Sequence, residues 1–291
     1  MLVATATALG CGSPDSEPPV PAAQPSPRIA VIVLENHGFG EVVGNPEAPF
    51  LNGLARRGAL ATRYFGVAHP SLPNYLAMLG GSTFGIEENC TGCSAWGDNL
   101  AAQLSRAGLS WRAYMEDMPE ACFTEDEEGE YVKRHNPFVY FPSIRDAPGR
   151  CENVVPMTAL DDDLERGSLP AFAWIGPDLC HDAHDCELEL ADRWLAETVP
   201  GVTAALGRGG FLVVTFDEAS DDDRRGCCGR PGGGRVATVL AGPAVERGAR
   251  LNSPLDHYSL LATIEDSFDL PRLRNARGAA SLGRALAAGA G

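Results

Sequence analysis

The chain has 291 residues, and its 39 Asp and Glu against 23 Lys and Arg give a formal net charge of −16. This acidic balance argues against a nucleic-acid-binding surface, which needs clustered Lys and Arg. A hydrophobic content of 44% and a charged content of 21% are typical of a globular protein and argue against extended disorder. No apolar run reaches the roughly 18 residues that a membrane-spanning helix needs.

The first 27 residues have the composition of an export signal followed by a linker. Residues 1–12 are apolar and end in small residues and a cysteine, which is typical of the end of a bacterial lipoprotein signal peptide. Cys11 would then receive the lipid, and any membrane attachment would run through it. Residues 13–27 are rich in Pro, Ser and Ala and predict an extended linker. We therefore expect an exported protein, in the cell envelope or secreted, with its folded domain over residues 28–285. The alternative is an uncleaved, disordered tail.

The cysteines predict disulfide bonds. Nine are present, and eight remain without Cys11, an even number in a chain that carries export features. Pairing neighbours along the chain predicts Cys90–Cys93, Cys122–Cys151, Cys180–Cys186 and, as the remaining pair, Cys227–Cys228. A zinc site built from Cys90 and Cys93 is the alternative, but no second CxxC pair with a suitable spacing follows it.

The predicted elements alternate between strands and helices along the chain. Apolar runs that end in polar residues predict buried strands, and apolar residues at helical spacing predict amphipathic helices. The predicted strands begin at residue 28 and cover 110–118, 171–178, 210–218 and 235–243; the predicted helices cover 48–58, 72–81, 97–109, 187–206 and 256–268. The polar segment 119–155 is predicted to leave the core. This order indicates an α/β fold with a mostly parallel sheet.

Three of the predicted strands end in acidic or amide side chains. Glu35 and Asn36 follow the first, Asp178 follows the 171–178 run, and Asp217 and Glu218 follow the 210–218 run. In open α/β sheets, ligands bind beyond the carboxyl ends of the strands, so we expect one site there. Carboxylates, an amide oxygen and imidazoles brought together would bind a divalent cation. The alternative is that each acid only caps the helix that follows.

Ser71 lies at the predicted start of a helix, directly after a proline. A hydroxyl there faces the positive end of the helix and its free N–H groups, which favours attack on an anionic phosphorus centre. A neighbouring metal ion would lower the pKa of the hydroxyl and make it a nucleophile. The alternative is that Ser71 is only an N-cap.

Six motifs, in this order, resemble the phosphoesterase family of bacterial and fungal acid phosphatases and phospholipases C. They are LENHGF, HPSLPNYLAMLGG, KRHNPFVYF, WIGPDLCHDAHDC, TFDEASDDD and DHYSLLATIEDSF, and together they cover roughly residues 29–270. The family belongs to the alkaline phosphatase-like superfamily. The resemblance implies a three-layer sandwich in which helices flank a mostly parallel central sheet.

The resemblance also implies roles for residues within these motifs. Ser71 matches the phosphorylated residue of the superfamily, and Asn74 matches an amide that contacts phosphoryl oxygens. Glu35, Asn36, Asp182, Asp217 and Glu218 are the implied metal ligands. His184 and His257 are candidate proton donors, and His69 and His135 are implied neighbours of the phosphate. In the PDLCHDAHDC motif, His181 and Asp185 are second choices behind Asp182 and His184.

Two further expectations come from this chain's own residues. The Gly-rich, basic run 226–235 lies beside the Asp217-Glu218 pair, so Arg235, with Arg224 and Arg225, is a candidate for substrate contact; a structureless loop is the alternative. The predicted ligand set is poor in histidine and rich in oxygen, which favours Mg, Ca or Mn over Zn. With one ion held, an imidazolium at mildly acidic pH would protonate the leaving group.

Taken together, the sequence predicts an exported, metal-assisted phosphomonoesterase of the acid phosphatase type that forms a phosphoserine intermediate. Its substrate would be a phosphoester small molecule or a phospholipid head group. Two alternatives remain: a phospholipase C-like phosphodiesterase, and a catalytically inactive, lipid-anchored binding protein. A sulfatase is disfavoured because the segment after Ser71 lacks the arginine of the C/S-x-P-x-R pattern.

Overall fold

The computed structural model describes residues 1–3, 26–229 and 232–287. The strands are β1 (Ile29–Leu34), β2 (Ala59–Phe65), β3 (Trp111–Met115), β4 (Glu127–Glu128), β5 (Tyr131–Val132), β6 (Val154–Pro156), β7 (Phe172–Gly176), β8 (Phe211–Phe216), β9 (Arg235–Ala241), β10 (Arg250–Leu251) and β11 (Leu255–Asp256). Cys11 and most of the predicted linker lie outside the described residues.

Helices connect most of these strands. The α-helices are α1 (Phe39–Val42), α2 (Pro49–Arg57), α3 (Ser71–Gly80), α4 (Leu100–Arg106), α5 (Pro142–Arg145), α6 (Pro148–Cys151), α7 (Thr158–Glu165), α8 (Leu188–Ala205) and α9 (His257–Ser267). Short 3₁₀ helices cover Lys133–His135, Pro137–Tyr140, Arg274–Gly278 and Leu282–Ala285. In the described part of the chain, no helix is long and apolar enough to cross a bilayer.

A large central sheet organises the domain. Its strand order is β10-β2-β9-β8-β1-β7-β3-β6, and β11 also pairs with β2. Strand β9 runs antiparallel to β2 and β8, whereas the other described pairs of this sheet are parallel. Strand β1 therefore lies near the middle, between parallel neighbours, which explains its uninterrupted apolar sequence IAVIVL and complete burial.

Two groups of helices cover the sheet. Helix α3 packs on α9 and α4, while α2 packs on α8, and α8 in turn packs on α7. Helix α3 is buried along its whole length and ends at Gly81, which adopts the left-handed conformation that glycine allows most easily. The predicted α/β sandwich with a mostly parallel sheet is confirmed.

The structure differs from the sequence predictions in two places. Residues 59–65 form strand β2, which the sequence analysis does not predict because the polar Thr62 and Arg63 interrupt its apolar pattern. The segment 119–155 leaves the core in part, but its second half contains buried 3₁₀ turns and the edge strand β6. All four predicted disulfides are present, so Cys90 and Cys93 are joined to each other and the zinc alternative is wrong.

Candidate active site

The carboxyl ends of β1 and β8 bring Glu35-Asn36 and Asp217-Glu218 together. These strands are parallel neighbours, with Leu34 in register with Phe216, so Glu35-Asn36 and Asp217-Glu218 leave the sheet side by side. The backbone N–H of Asn36 donates to Oδ1 of Asp217 at 3.2 Å. Asn36 has a φ of 56°, a left-handed conformation that asparagine tolerates better than most residues. The strand-end prediction holds for these two pairs.

Ser71 is the first residue of α3 and points into this acidic edge. Its hydroxyl donates to Oε2 of Glu35 at 2.9 Å. It makes no capping hydrogen bond, so the N-cap reading does not describe it. Tyr75 lies one helical turn further and donates to Oε1 of Glu35. Both oxygens of the buried Glu35 are therefore held by the same face of α3. The spacing of four residues between Ser71 and Tyr75 is the sequence signal for the contact between Tyr75 and Glu35.

Asn74 joins the start of α3 to Glu218. Its Oδ1 accepts hydrogen bonds from the backbone of Val67 and Ala68, at 2.8 and 3.1 Å. Its Nδ2 donates to Oε2 of Glu218 at 3.1 Å. The same carboxylate oxygen lies 3.2 Å from Nδ1 of His69. Asn74 and His69 thus both stand at the acidic edge, and the amide of Asn74 is occupied by these protein groups.

His135 arrives from the 119–155 segment and bridges two acids. Its Nδ1 lies 2.9 Å from Oδ2 of Asp182, and its Nε2 lies 3.5 Å from Oε1 of Glu35. Its ring stacks on Tyr75, with centroids 5.4 Å apart. The backbone N–H of Glu35 donates to the carbonyl oxygen of Asp182 at 2.8 Å, which fixes that loop against the end of β1.

His184 completes this side of the site. Its ring lies 5.5 Å from that of His135, and its Nδ1 is 2.6 Å from Oδ1 of Asp185. Its side chain is 26% exposed, whereas His135 is buried. His184 can therefore meet both solvent and the interior of the site.

Asp178 does not join this site, contrary to the strand-end argument. Its Oδ1 accepts from the backbone N–H groups of Cys180 and His181, at 2.9 and 2.7 Å. Its Oδ2 lies 3.1 Å from Nδ1 of His181, which is also 3.1 Å from Oε2 of Glu116. Asp182, four residues along the same loop, takes its place. Strand-end position alone could not choose between the two, because the turn after β7 decides which acid faces Glu35.

His257 and Arg235 have partners that do not suit the roles expected of them. Nε2 of His257 faces the carbonyl oxygen of Asp217, and Nδ1 faces the hydroxyl of Tyr64 at 3.2 Å. Burial lowers the pKa of His257 to about 4, so the ring is neutral. It supports the backbone of Asp217 and does not serve as a proton donor to the leaving group. Arg235 donates to the carbonyl oxygen of Thr62 and stacks 3.8 Å over the ring of Phe39. Its guanidinium is thus used in packing.

The Gly-rich run beside Arg235 is ordered where it meets the site. A Cβ on Gly233 would lie 2.1 Å from the carbonyl oxygen of Ala68, so only glycine fits there. The backbone N–H of Ala219 donates to Gly233, and that of Gly233 donates to Gly66. These described residues therefore clamp the segments that carry Glu218 and His69 against each other.

The acids of the site raise one another's pKa values. Burial raises the pKa of Glu35 well above its ordinary value, and the neighbouring Asp217 and Asp182 raise it further. Burial, followed by the charge of Glu218, raises the pKa of Asp217, and burial raises that of Asp182 to about 8. Burial also lowers the pKa of His135 well below its ordinary value. Such strained electrostatics are typical of a functional site.

Three buried polar atoms at this edge have no hydrogen-bond partner within the described residues: Nδ1 of His69, Nε2 of His135 and Oδ2 of Asp217. Unsatisfied buried atoms beside several carboxylates suit the binding of a cation or an oxyanion. Four sets of described side chains place one ligand atom each within 4.8 Å of one another, and two of them lie beside Ser71: Glu35, His135 and His184, and His69, Glu218 and Asp221. Glu116, Asp178 and His181 form another of the four. The residues therefore fit a divalent metal ion, with more imidazole in the set than the sequence predicts.

Comparisons with known proteins agree with the resemblance. The profile described as the Phosphoesterase family matches residues 44–271. A phosphatidylinositol-3-phosphatase from Mycobacterium tuberculosis is 31% identical over 249 residues, which cover 84% of this chain and 78% of that protein. A phosphate-repressible acid phosphatase from Penicillium chrysogenum is 30% identical over 257 residues, 84% of this chain and 60% of that protein. The chain thus spans about three-fifths of this fungal relative.

Solved structures with the same fold include one described as a member of the alkaline phosphatase superfamily from Vibrio parahaemolyticus. Its TM-score is 0.60 at 11% identity, covering 87% of this chain and 70% of that one. Murine ectonucleotide pyrophosphatase/phosphodiesterase 5, in an inactive form with AMP, gives a TM-score of 0.58 at 11% identity, covering 90% of this chain and 100% of that one. At these identities the likeness concerns the fold.

Proposed function

The chain belongs to the phosphoesterase family and is a hydrolase of phosphoric esters, and from that premise we propose that it is an exported phosphomonoesterase of the acid phosphatase type, with a phosphoserine intermediate at Ser71. The observation that carries the proposal is the hydroxyl of Ser71, which stands at the start of α3 and donates to the buried Glu35 at 2.9 Å. The nucleophile, the helix N-terminus and the acidic edge meet at this atom.

Ser71 attacks the phosphorus in line with the leaving alcohol; its hydroxyl proton passes to Glu35, which returns it to Ser71 when water cleaves the phosphoserine. Glu35 accepts the hydrogen bond of the hydroxyl and orients its lone pair, while Tyr75 fixes the other oxygen of the same carboxylate. The start of α3 presents the backbone N–H of Ser71 and the positive end of its dipole to the phosphoryl oxygens, because the N–H of Leu72 donates to Asn89 and Pro73 has none. Asn74 holds Glu218 and the segment that leads into the helix. These groups position the reaction before it starts.

Side chains on both sides of Ser71 would hold a divalent cation. Asp217, Glu218 and Asn36 offer oxygen ligands on one side, and Glu35 and His135 offer a carboxylate oxygen and an imidazole nitrogen on the other. When bound, such an ion lowers the pKa of a neighbouring hydroxyl and screens the charge of the phosphoryl group. His135 suits a ligand better than a phosphate contact, because Asp182 faces its Nδ1 and leaves Nε2 as a lone pair turned towards Glu35.

His184 protonates the leaving alcohol. Asp185 holds its Nδ1 at 2.6 Å, so the other ring nitrogen carries the transferable proton when the ring is charged. In the second half of the reaction the neutral ring takes a proton from water, which then attacks the phosphoserine.

Export is supported by the four disulfides, which are uncommon in a reducing cytosol. Attachment through a lipid on Cys11 belongs to the same proposal. A phosphodiesterase of the phospholipase C type is the second candidate, because the family includes both activities. The inactive binding protein is set aside, since the nucleophile and the acids are present and converge. The name of the mycobacterial relative makes a phosphorylated lipid head group one substrate to test.

The test compares monoester and diester substrates. We expect the purified protein with Mg²⁺, Mn²⁺, Ca²⁺ or Zn²⁺ to hydrolyse para-nitrophenyl phosphate at least about tenfold faster than bis-para-nitrophenyl phosphate, because the site holds a phosphoryl group through its non-bridging oxygens. Asn252→Ala, on the loop after β10, serves as the control variant. Faster hydrolysis of the diester would favour the phosphodiesterase instead.

A further inference from the structure

Arg224 is an exposed cation that makes no hydrogen bond and no ion pair with another of the described residues. The two arginines that the sequence analysis groups with it are both occupied. Arg235 packs on the ring of Phe39. The guanidinium of Arg225 holds the carboxylate of Asp223, at 2.8 and 2.5 Å. Of these three arginines, Arg224 is therefore the one that can meet a ligand.

The backbone brings Arg224 next to the acidic edge. Nε2 of His69 donates to the carbonyl oxygen of Asp223 at 3.0 Å, and Asp223 directly precedes Arg224. On the other side of the same ring, Nδ1 of His69 lies 3.2 Å from Oε2 of Glu218. Glu218 raises the pKa of His69, and the positive charge of Arg224 opposes that rise. The guanidinium is therefore close enough to the site to influence its charges.

The loop that carries Arg224 is held on both sides of it. The carboxylate of Asp223 accepts hydrogen bonds from the backbone N–H groups of Arg225 and Arg235, at 3.0 and 3.1 Å. The backbone N–H of Gly234 donates to the carbonyl oxygen of Arg225 at 2.9 Å. The main chain around Arg224 is thus fixed, and only its side chain must be ordered when a ligand binds.

Arg224 also lines a cavity of about 630 Å³, a usual volume for a small-molecule site. The cavity lies between two segments that leave the acidic edge. Residues 38–41 begin two positions after Asn36 and form one wall. The other wall begins at Ser220, two positions after Glu218. The cavity therefore offers space for the alcohol part of a phosphoester that is bound at this edge.

Two acids that line the same cavity are already bound by other donors. The carboxylate of Glu41 accepts hydrogen bonds from the backbone N–H of Gly38 and from the hydroxyl of Ser220. The carboxylate of Asp223 is held as described above. Arg224 therefore keeps its N–H donors for a ligand. A guanidinium presents these donors as a planar fork, which fits two oxygens of a carboxylate or a phosphate.

We propose that Arg224 is a specificity-determining residue whose guanidinium binds a second anionic group, a carboxylate or a phosphate, on the alcohol part of the substrate. The inference rests on the proposed function and names the class of phosphomonoester that the site prefers. Glu218 and His69 stand in the chain of contacts between α3 and Arg224. Arg224 is therefore suited to the leaving alcohol and not to the phosphorus that Ser71 attacks.

Substitutions can separate this role from a general effect of charge. Arg224→Gln removes the cation and keeps a polar side chain, and Arg224→Lys keeps the charge without the planar fork. Arg284→Gln is the matched control, because Arg284 is exposed and makes no hydrogen bond or ion pair with another of the described residues. Its 3₁₀ helix, Leu282–Ala285, contacts Glu246 beyond the carboxyl end of β9. Because β9 is antiparallel to β8, that end lies at the opposite edge of the sheet from the site.

The substrates are phenyl phosphate and its derivatives that carry a carboxylate or a second phosphate on the ring, in the meta or the para position. The readout is the kcat/KM of each derivative divided by that of phenyl phosphate, so that effects common to all substrates cancel. We expect Arg224→Gln to lower this ratio about five- to tenfold for at least one derivative, as for a lost, partly exposed contact between charged groups. The loss should lie mainly in KM, because the second anion is bound equally before and during the reaction.

The variants should follow a fixed order. Arg224→Lys should give a ratio between those of the wild type and Arg224→Gln, and Arg284→Gln should keep the wild-type ratio. Comparing the carboxylate with the phosphate derivatives identifies which anion the guanidinium takes. Equal ratios in the wild type and Arg224→Gln for every derivative would overturn the role of Arg224, and so would an equal fall in Arg284→Gln.

The outcome also distinguishes this inference from the proposed function. Unchanged ratios in Arg224→Gln would leave the phosphatase intact. If the wild type hydrolysed none of these compounds, the proposed function would fail. The Kd values of phenyl phosphate and of its derivatives, measured by calorimetry, would then still decide the role of Arg224. A derivative that loses affinity in Arg224→Gln more than phenyl phosphate does would support it, and equal changes or absent binding would overturn it.

Discussion

Two clusters of one histidine and two acids lie on the same edge of the sheet, and they differ in what they leave unsatisfied. The Glu35 cluster consists of Glu35, His135 and Asp182, and the Glu116 cluster consists of Glu116, Asp178 and His181. In each, the imidazole stands between two carboxylates, at 2.9 and 3.5 Å in the first and at 3.1 Å twice in the second. Residue types alone would assign them the same function.

The hydrogen bonds separate them. In the Glu116 cluster, Oε1 of Glu116 accepts from Trp194 at 3.1 Å, and Oε2 accepts from the backbone of Asp178 at 3.2 Å. In the Glu35 cluster, Nε2 of His135 has no hydrogen-bond partner among the described residues, and the pKa of Asp182 is raised by burial to about 8. The Glu35 cluster is ready for a ligand, whereas the Glu116 cluster holds the loop that carries Asp182. Chemistry is therefore expected where satisfaction is incomplete.

Removing divalent ions should have a larger effect on catalysis than the histidine substitutions described below. We expect treatment with EDTA to lower kcat at least about a hundredfold, because the carboxylates around Ser71 then lack the charge that balances them. Adding back Mg²⁺, Mn²⁺, Ca²⁺ and Zn²⁺ singly identifies the ion. Full activity after exhaustive chelation, with metal analysis showing none, would contradict this.

The thermal stability of the metal-stripped protein should depend on pH. An acid whose pKa is higher in the folded than in the unfolded protein stabilises the folded state when the pH is below its unfolded pKa. This contribution to stability is lost as the pH rises through its folded pKa. For Asp182 this window runs from 3.8 to about 8. The Tm of the stripped protein should therefore fall between about pH 5 and pH 8, and the activating ion should reverse the fall. A Tm that rose with pH would be the opposite result.

A matched pair of histidine substitutions should give the smaller effect. We expect His135→Asn to lower kcat/KM at least about tenfold, because the ring nitrogen that faces Glu35 is lost. We expect His181→Asn to cost about 1–3 kcal/mol of unfolding free energy, because the carboxylates of Glu116 and Asp178 then face each other without the imidazole between them. The change in kcat/KM should be only a few-fold. Denaturant unfolding and steady-state kinetics measure both. The reverse assignment of effects would show that the two clusters have been interpreted the wrong way round.

The sequence predicts those parts of the site that lie at the ends of regular elements. Glu35 and Asp217 follow apolar strands, and Ser71 begins a helix, so periodicity and strand ends locate them. It does not predict the choice of Asp182 over Asp178, because the turn between them has no periodicity. The hydrogen bond from the backbone of Leu72 to Asn89 is equally hidden, because an irregular loop carries Asn89 to the start of α3.

The resemblance places residues within motifs but does not fix what each contacts. His257 lies in the expected motif, yet its neutral ring supports the backbone of Asp217 from behind. Arg235 lies beside the site, yet it stacks on Phe39. Both roles follow from burial and tertiary neighbours, which one sequence does not contain.

Ser71 should carry the phosphoryl group between the two halves of the reaction, and trapping that intermediate tests this most directly. The protein is mixed with substrate at low pH, quenched with acid within milliseconds to seconds, digested and analysed by mass spectrometry, with Ser71→Ala as the control. We predict one phosphoryl group on the peptide that contains Ser71, and a fall in kcat of about a thousandfold or more in Ser71→Ala. A phosphoryl group on another residue, or near-normal turnover by Ser71→Ala, would contradict the account.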